Sequence, residues 1–309
     1  MRLVFMGSSA IACPSVSRLR ALPGVELAAV ITQPERAAGR GRAMAASPLR
    51  ESAGDRVPVL TMENVNAPEN MTILRDWRPD AVVVVSFGQL LRRPLLELPP
   101  KGCINLHPSL LPRYRGAAPI AWAVAAGETV TGVTIMFMNE RMDAGDILLQ
   151  REVPIGEEET APALRSRLAE AGASLLAEAV ELLARDAAPR RPQDDALATF
   201  APKLQKRDGR VDWTLAAAAL RNRVRAFQPW PGCFCEVPAG SGHFLKILRA
   251  NIEASGGDPP GRVLDWSGNG PLVQTGNGAL RLTEVQPEGR KAMAGSAYLP
   301  GHPRVDGFG

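Results

Sequence analysis

The sequence predicts an α/β fold: a doubly wound, mainly parallel sheet followed by a small β-barrel domain. Two observations carry this reading. Up to residue 185, short apolar runs alternate with stretches of helical periodicity, as in crossover connections between parallel strands. Beyond residue 230 the chain changes to short alternating segments separated by Gly, Asn and Asp turns, the pattern of a small barrel. A length of 309 residues also favours two domains, each large enough for its own core.

Taken in order, Leu3–Met6, Leu27–Ile31, Ala81–Ser86, Ile104–Leu106 and Val133–Met138 read as buried strands. Between them, Ala12–Leu22, Met71–Trp77 and Pro119–Ala126 read as crossover helices. A further helix is expected to begin near Ser47-Pro48-Leu49. Ala161–Arg185 places Leu164, Leu168, Leu175, Leu176, Val180 and Leu183 at helical spacing, a long amphipathic helix that closes the first domain. Asp186–Pro192 has linker composition. A helix over Leu215–Phe227 presents Arg221, Arg223 and Arg225. Cys233–Val237, Phe244–Ile252, Arg262–Trp266, Leu272–Thr275 and Leu280–Val285 read as the barrel strands. The expected division is a catalytic domain at 1–187, a linker at 188–203 and a second domain at 204–309.

Composition narrows the class. Apolar residues make up 45% and charged residues 22%, ordinary values for a soluble globular protein. No run approaches the ~20 apolar residues of a membrane helix. Ala10-Ile11-Ala12-Cys13 loosely resembles a lipoprotein cleavage site, but Leu3–Met6 is too short an apolar run for a signal segment. A cytoplasmic monomer is expected. Four cysteines and three histidines show no metal-site spacing and no disulfide framework, so the expectation is no metal and reduced thiols. The net charge of +4 is uneven: residues 1–200 carry 22 Lys/Arg against 23 Asp/Glu, whereas residues 201–309 carry 14 against 9. Concentration of positive charge in the last third favours a nucleic-acid partner there.

The chemistry centres on Asn105 and His107. Period-two geometry points both to one side of a strand that ends beside Pro108. An amide and an imidazole projecting together can stabilise the oxyanion that forms when an acyl carbon is attacked. Asp143, in Met142-Asp143-Ala144-Gly145-Asp146, can orient and polarise that imidazole. Asn-x-His alone is a weak signal, and a lone His in a Pro-rich loop is more often structural. Gly7 follows the first strand, yet Ser8-Ser9-Ala10-Ile11-Ala12 lacks the glycines of a dinucleotide fold. Thr32–Arg42 is a Gly/Arg loop whose Arg36, Arg40 and Arg42 offer planar donors to phosphates. On composition alone, such a loop is more often a solvated connection.

A longer pattern changes these odds. Asn105-Leu106-His107-Pro108-Ser109-Leu110-Leu111-Pro112 is followed by Arg115-Gly116-Ala117-Ala118-Pro119, Gly132-Val133-Thr134 and Asp143-Ala144-Gly145-Asp146-Ile147. With these motifs in this order the chain resembles the folate-dependent formyltransferases. The likeness runs from Arg2-Leu3-Val4-Phe5-Met6-Gly7 to the Gln286–Met293 segment, nearly the whole chain. It implies transfer of a formyl group from the cosubstrate 10-formyltetrahydrofolate to the α-amine of methionine on initiator tRNA, a step of translation initiation. It implies Asn105, His107 and Asp143 as catalytic residues, and Ser109, Leu110, Leu111 and Pro112 as the folate lining. Gln33-Pro34-x-Arg36-x-x-Gly39-Arg40-Gly41 matches a loop that wedges against the tRNA acceptor end, with Arg40 first and Arg36 and Arg42 beside it. The resemblance also implies that the second domain is an OB-like, tRNA-binding barrel.

The chain departs from the family pattern at Ser8-Ser9-Ala10-Ile11, where Thr-Pro-x-Phe is common, and at Phe87 and Met142, where Tyr and Leu are usual. None removes a proposed catalytic group. A sugar-nucleotide N-formyltransferase is the main alternative; a glycinamide-ribonucleotide formyltransferase, a folate hydrolase and a non-catalytic tRNA-binding module stand behind it.

Overall fold

The computed structural model describes residues 1–34 and 48–309. Its first sheet has seven strands: β1 (Arg2–Gly7), β2 (Glu26–Thr32), β3 (Val59–Thr61), β4 (Ala81–Val85), β5 (Cys103–His107), β6 (Val130–Phe137) and β7 (Ile147–Pro154). Their order is β3-β2-β1-β4-β5-β6-β7. β1 to β5 pair in parallel, while β6 is antiparallel to both β5 and β7. The doubly wound expectation holds, with an antiparallel edge that the apolar runs did not reveal.

The helices are α1 (Cys13–Arg20), α2 (Pro48–Ala53), α3 (Pro68–Asp76), α4 (Arg93–Leu96), α5 (Pro119–Ala125) and α6 (Ala161–Ala184). Proline stands in the first turn of α1, α3 and α4, where its missing N–H has no partner to lose. On one face of the sheet Val4, Met6, Ile31, Val82, Val84 and Cys103 pack with Met71 and Leu74 of α3 and Leu95 of α4. On the other face α6 approaches β5 at Gly172, where a Cβ would lie 2.6 Å from Leu106 Cδ1. Leu106 thus turns towards α6, and Asn105 and His107 turn the opposite way.

By compactness the chain divides into two units. One comprises Met1–Pro119, Val130–Pro154 and Arg165–Ala201; the other comprises Ile120–Thr129, Ile155–Leu164 and Pro202–Gly309. The second unit contains α7 (Ala217–Ala226), β8 (Cys233–Glu236), β9 (Phe244–Glu253), β10 (Val263–Ser267), β11 (Gly270–Gln274), β12 (Ala279–Pro287), β13 (Met293–Ala294) and α8 (Gly295–Tyr298). The strands are antiparallel in the order β10-β11-β12-β9-β8, with β13 on β12.

The residues at 306–309 bond to both end strands of that order. Val263 N donates to Asp306 O at 2.9 Å and Phe308 N to Gly261 O at 2.8 Å. Gly309 and Glu236 exchange backbone bonds of 2.9 and 2.8 Å. The ring of strands is closed in this way, and Phe308 lies buried beside Trp213 and Trp266. Arg281 of β12 binds Glu253 of β9, Asp265 of β10 and the Gly270 carbonyl of β11, so one guanidinium ties four strands.

The arginines of α7 are less available than their spacing implied. Arg225 donates to the carbonyls of Gly156 and Glu159 at 3.1 and 2.9 Å, and Arg221 pairs with Glu157 and Glu158. No described helix is long and apolar enough to cross a membrane.

Candidate active site

Asn105 and His107 sit at the carboxyl end of β5, where open α/β sheets bind ligands. Both side chains share a face by alternation. Asn105 is half-buried and its amide bonds to no described side chain or backbone group, whereas His107 is 4% exposed. In the antiparallel register Asn105 stands opposite Met136, and His107 opposite Thr134.

The segment after β5 folds back over this same face. Leu111 packs on Met136 and Ile147, and Gly132 makes room for Leu110, whose Cδ2 would lie 2.5 Å from a Cβ there. Thr134 staples the segment from below: its buried hydroxyl donates to Ser109 O at 2.6 Å and accepts from Leu111 N at 3.1 Å. Gln150, its partner on β7, donates to Leu111 O at 2.8 Å and to Thr134 Oγ1 at 3.0 Å. Ser109 is buried, with its hydroxyl committed to Arg113 O at 2.7 Å. Leu111 is buried too, so Leu110 and Pro112 are the two of the four proposed folate-lining residues with surface to offer.

His107 faces an acceptor on each ring nitrogen. Nε2 lies 2.9 Å from Tyr114 O, and Nδ1 lies 3.6 Å from Asp143 Oδ1. A carbonyl can only accept, so the proton of a neutral imidazole is assigned to Nε2. Nδ1 is then the nitrogen able to take up a proton, beside a carboxylate that would stabilise the resulting charge. The 3.6 Å separation is too long for a direct hydrogen bond and leaves both groups capacity for a substrate. Asp143 Oδ2 accepts from Gly116 N at 2.8 Å. The structure therefore brings Asn105, His107 and Asp143 to one end of the sheet.

Arg115, a motif residue given no role from the sequence, and Gln193, which no motif contains, also belong here. Gln193 donates to the carbonyls of Asp143 and Gly145 and accepts from Arg115, which is 4% exposed. Asp195 takes Arg115 on one oxygen and Arg141 on the other, and these hydrogen bonds hold its carboxyl below the usual range. Arg36, Arg40 and Arg42 lie outside the described residues. Among the described residues no group of three His, Cys, Asp or Glu is placed to hold a metal.

Two families match the chain: "Formyl transferase" over residues 1–180 and "Formyl transferase, C-terminal domain" over residues 203–303. A methionyl-tRNA formyltransferase of Moorella thermoacetica is 47% identical, covering 99% of this chain and 98% of that protein. One of Syntrophus aciditrophicus is 46% identical over 97% of this chain and 96% of its own length. Among solved structures, an N-formyltransferase from Helicobacter canadensis with folinic acid and dTDP-3-aminofucose superposes with a TM-score of 0.65 at 16% identity, covering 91% of this chain and 98% of that one. HypX from Aquifex aeolicus in complex with tetrahydrofolic acid superposes with a TM-score of 0.62 at 19% identity; all of this chain matches half of that longer one. At such identities the structural likeness speaks for the fold.

Proposed function

The chain belongs to the formyl transferase family, and we propose that it moves the formyl group of 10-formyltetrahydrofolate to the α-amine of methionine esterified to initiator tRNA. Full-length identity of 41–47% to proteins named methionyl-tRNA formyltransferase supports this acceptor. The observation that carries the chemistry is the buried His107, with Tyr114 O on one nitrogen and Asp143 on the side of the other.

In this reading the free amine attacks the formyl carbon, and a tetrahedral oxyanion forms. The Asn105 amide donates to that oxyanion, while the positive charge of a protonated His107 stabilises it at short range. The amine loses a proton to the Asp143 carboxylate, since a protonated imidazole has no lone pair to receive it. The bond from the formyl carbon to N10 of the folate breaks, N10 takes up a proton, and an amide and tetrahydrofolate leave. Leu110 and Pro112 face the folate, with Ser109 and Leu111 holding their segment in place.

We assign catalysis to residues 1–187 and tRNA binding to 204–309, joined by 188–203, with Arg36, Arg40 and Arg42 of the Gly/Arg loop at the acceptor end. Exposed Lys203, Lys206, Arg207, Lys246, Arg290 and Lys291 supply cations for phosphates in place of the internally paired Arg221 and Arg225. A monomer working in the cytoplasm, where initiator tRNA is charged, fits this role.

The deciding assay supplies 10-formyltetrahydrofolate with methionyl-initiator tRNA in one arm and a dTDP-amino sugar in the other. Formylation of the tRNA alone is expected; formylation of the sugar alone overturns the acceptor. Asn105→Ala and His107→Ala should each lower kcat by about 10²–10³, the scale of losing one oxyanion-stabilising group.

A further inference from the structure

We propose that Gln193, within the segment read as a linker, is the positioning residue that sets the Asp143 carboxylate against His107. The proposal rests on the formyl-transfer reading above and adds to it a residue that the motifs do not contain.

Asp143 has a left-handed backbone, φ 51°. A residue with a side chain keeps that conformation where its surroundings hold it there. One amide does the holding. Gln193 Nε2 donates to Asp143 O at 2.9 Å and to Gly145 O at 2.8 Å, using both of its hydrogens. Gln193 Oε1 accepts from Arg115 Nε at 3.0 Å and Nη2 at 2.7 Å. The next residue, Gly116, donates its N–H to Asp143 Oδ2.

The path closes on itself: Asp143 backbone, Gln193, Arg115, Gly116, Asp143 carboxylate. Backbone and carboxylate of Asp143 are fixed relative to each other, and Oδ1 is the oxygen left facing His107. Asp195 stabilises the buried guanidinium at the corner of this ring, 2.8 Å from Arg115 Nη2.

The same segment also fixes the partner of the other imidazole nitrogen. Tyr114 N donates to Thr199 Oγ1 at 2.8 Å, Arg115 N to Thr199 O at 2.8 Å, and Ala201 N to Arg115 O at 2.7 Å. Tyr114 O, the acceptor on Nε2, is thereby held at a fixed point. Residues 193–201 thus govern both acceptors around His107.

The chemistry of residue 193 is restricted. Two adjacent carbonyls need a double donor, and the guanidinium needs an acceptor on the same group. Glutamine supplies both; glutamate keeps the reach and the Arg115 contact but donates nothing to the carbonyls.

The test measures formylation of methionyl-tRNA by the full chain carrying Gln193→Leu or Gln193→Glu, each in the wild-type and Asp143→Asn backgrounds. Displacing Asp143 by about 1 Å should lower kcat roughly 10- to 100-fold while changing both KM values little. In the Asp143→Asn background the further loss should stay under about 2-fold, because a residue acting through Asp143 has nothing left to position. A merely structural role would give losses that multiply with those of Asp143→Asn, and that result overturns the proposal. Wild-type kcat in Gln193→Glu also overturns it. If Gln193→Leu does not fold, Gln193→Glu decides alone, since it keeps a partner for Arg115. A wild-type chain inactive on methionyl-tRNA, or a fully active Asp143→Asn, would instead refute the functional reading beneath it.

Discussion

Replacing Thr134 with valine keeps the shape of a fully buried side chain and removes three hydrogen bonds from the floor of the candidate site. Gln150 retains Leu111 O, so the groups left without their described partner are Ser109 O and Leu111 N. Each orphaned buried group costs about 1–3 kcal/mol, so the pair costs about 2–6 kcal/mol if the segment stays closed. Opening of residues 108–112 to water limits the loss to the lower end, about 2–3 kcal/mol. At about 1.4 kcal/mol per decade this is a roughly 30- to 150-fold rise in opening, read as faster hydrogen exchange at the Leu111 amide. The KM for the folate should rise in parallel, because Leu110 and Pro112 lie on the loosened segment. Exchange within about 3-fold of wild type would show that the hydroxyl does not hold the segment, since about 0.6 kcal/mol is less than one orphaned group costs.

Arg281→Met should destabilise the second unit by about 1–2 kcal/mol, less than a fully buried pair would lose because its carboxylates are partly exposed. Hydrogen bonds from Arg281 hold the carboxyls of Glu253 and Asp265 below their ordinary values of 4.5 and 3.8. A depressed carboxyl stabilises the fold above its unfolded pKa and loses that contribution as pH falls through its lower folded value. Unfolding curves below about pH 4 should therefore steepen in wild type and flatten in the variant. Phe308→Ala removes a side chain packed near two tryptophans and should cost about 3–5 kcal/mol in thermal unfolding; an unchanged transition would count against closure of the ring by 306–309. Burial pushes the Cys103 and Cys233 thiols up to about 12 and that of Cys235 higher still. Iodoacetamide at about pH 8 should therefore label Cys13 alone until the protein unfolds, as mass spectrometry would show.

The parts legible in the sequence are those with a local signature. β5 was readable because Cys103–His107 alternates before a proline, and that alternation already put Asn105 and His107 on one side. β7 was not, since Ile147–Pro154 begins apolar and ends polar, as an edge strand does, and it matches neither template. Val59–Thr61 is too short to show a period. Gln193 was hidden for a different reason: Pro, Arg and Asp around it are the composition of a solvated connection, whether or not the segment is pinned. Its partners lie about 50 residues upstream or further, beyond any local pattern. The spacing of α7 showed three arginines but not that Arg221 answers the acids at 157 and 158 and Arg225 the carbonyls at 156 and 159, because helix periodicity gives a face and not its neighbour. The closing segment at 306–309 has two glycines in four residues and no strand signature at all.

The grouping of residues 120–129 and 155–164 with 202–309 bears on recombination. Trp122 sets its ring edge against Phe227 and donates to Pro202 O at 2.8 Å, while Arg225 reads the carbonyls of Gly156 and Glu159. A chimera spliced at residue 201 between two divergent relatives would therefore separate residues that touch one another, and the cut itself would adjoin the bonds that Thr199 and Ala201 make to Tyr114 and Arg115. Crossovers that carry the two upstream segments along with the C-terminal half should yield folded hybrids more often than a single cut, so the genetic exchange unit of this protein is three pieces of chain.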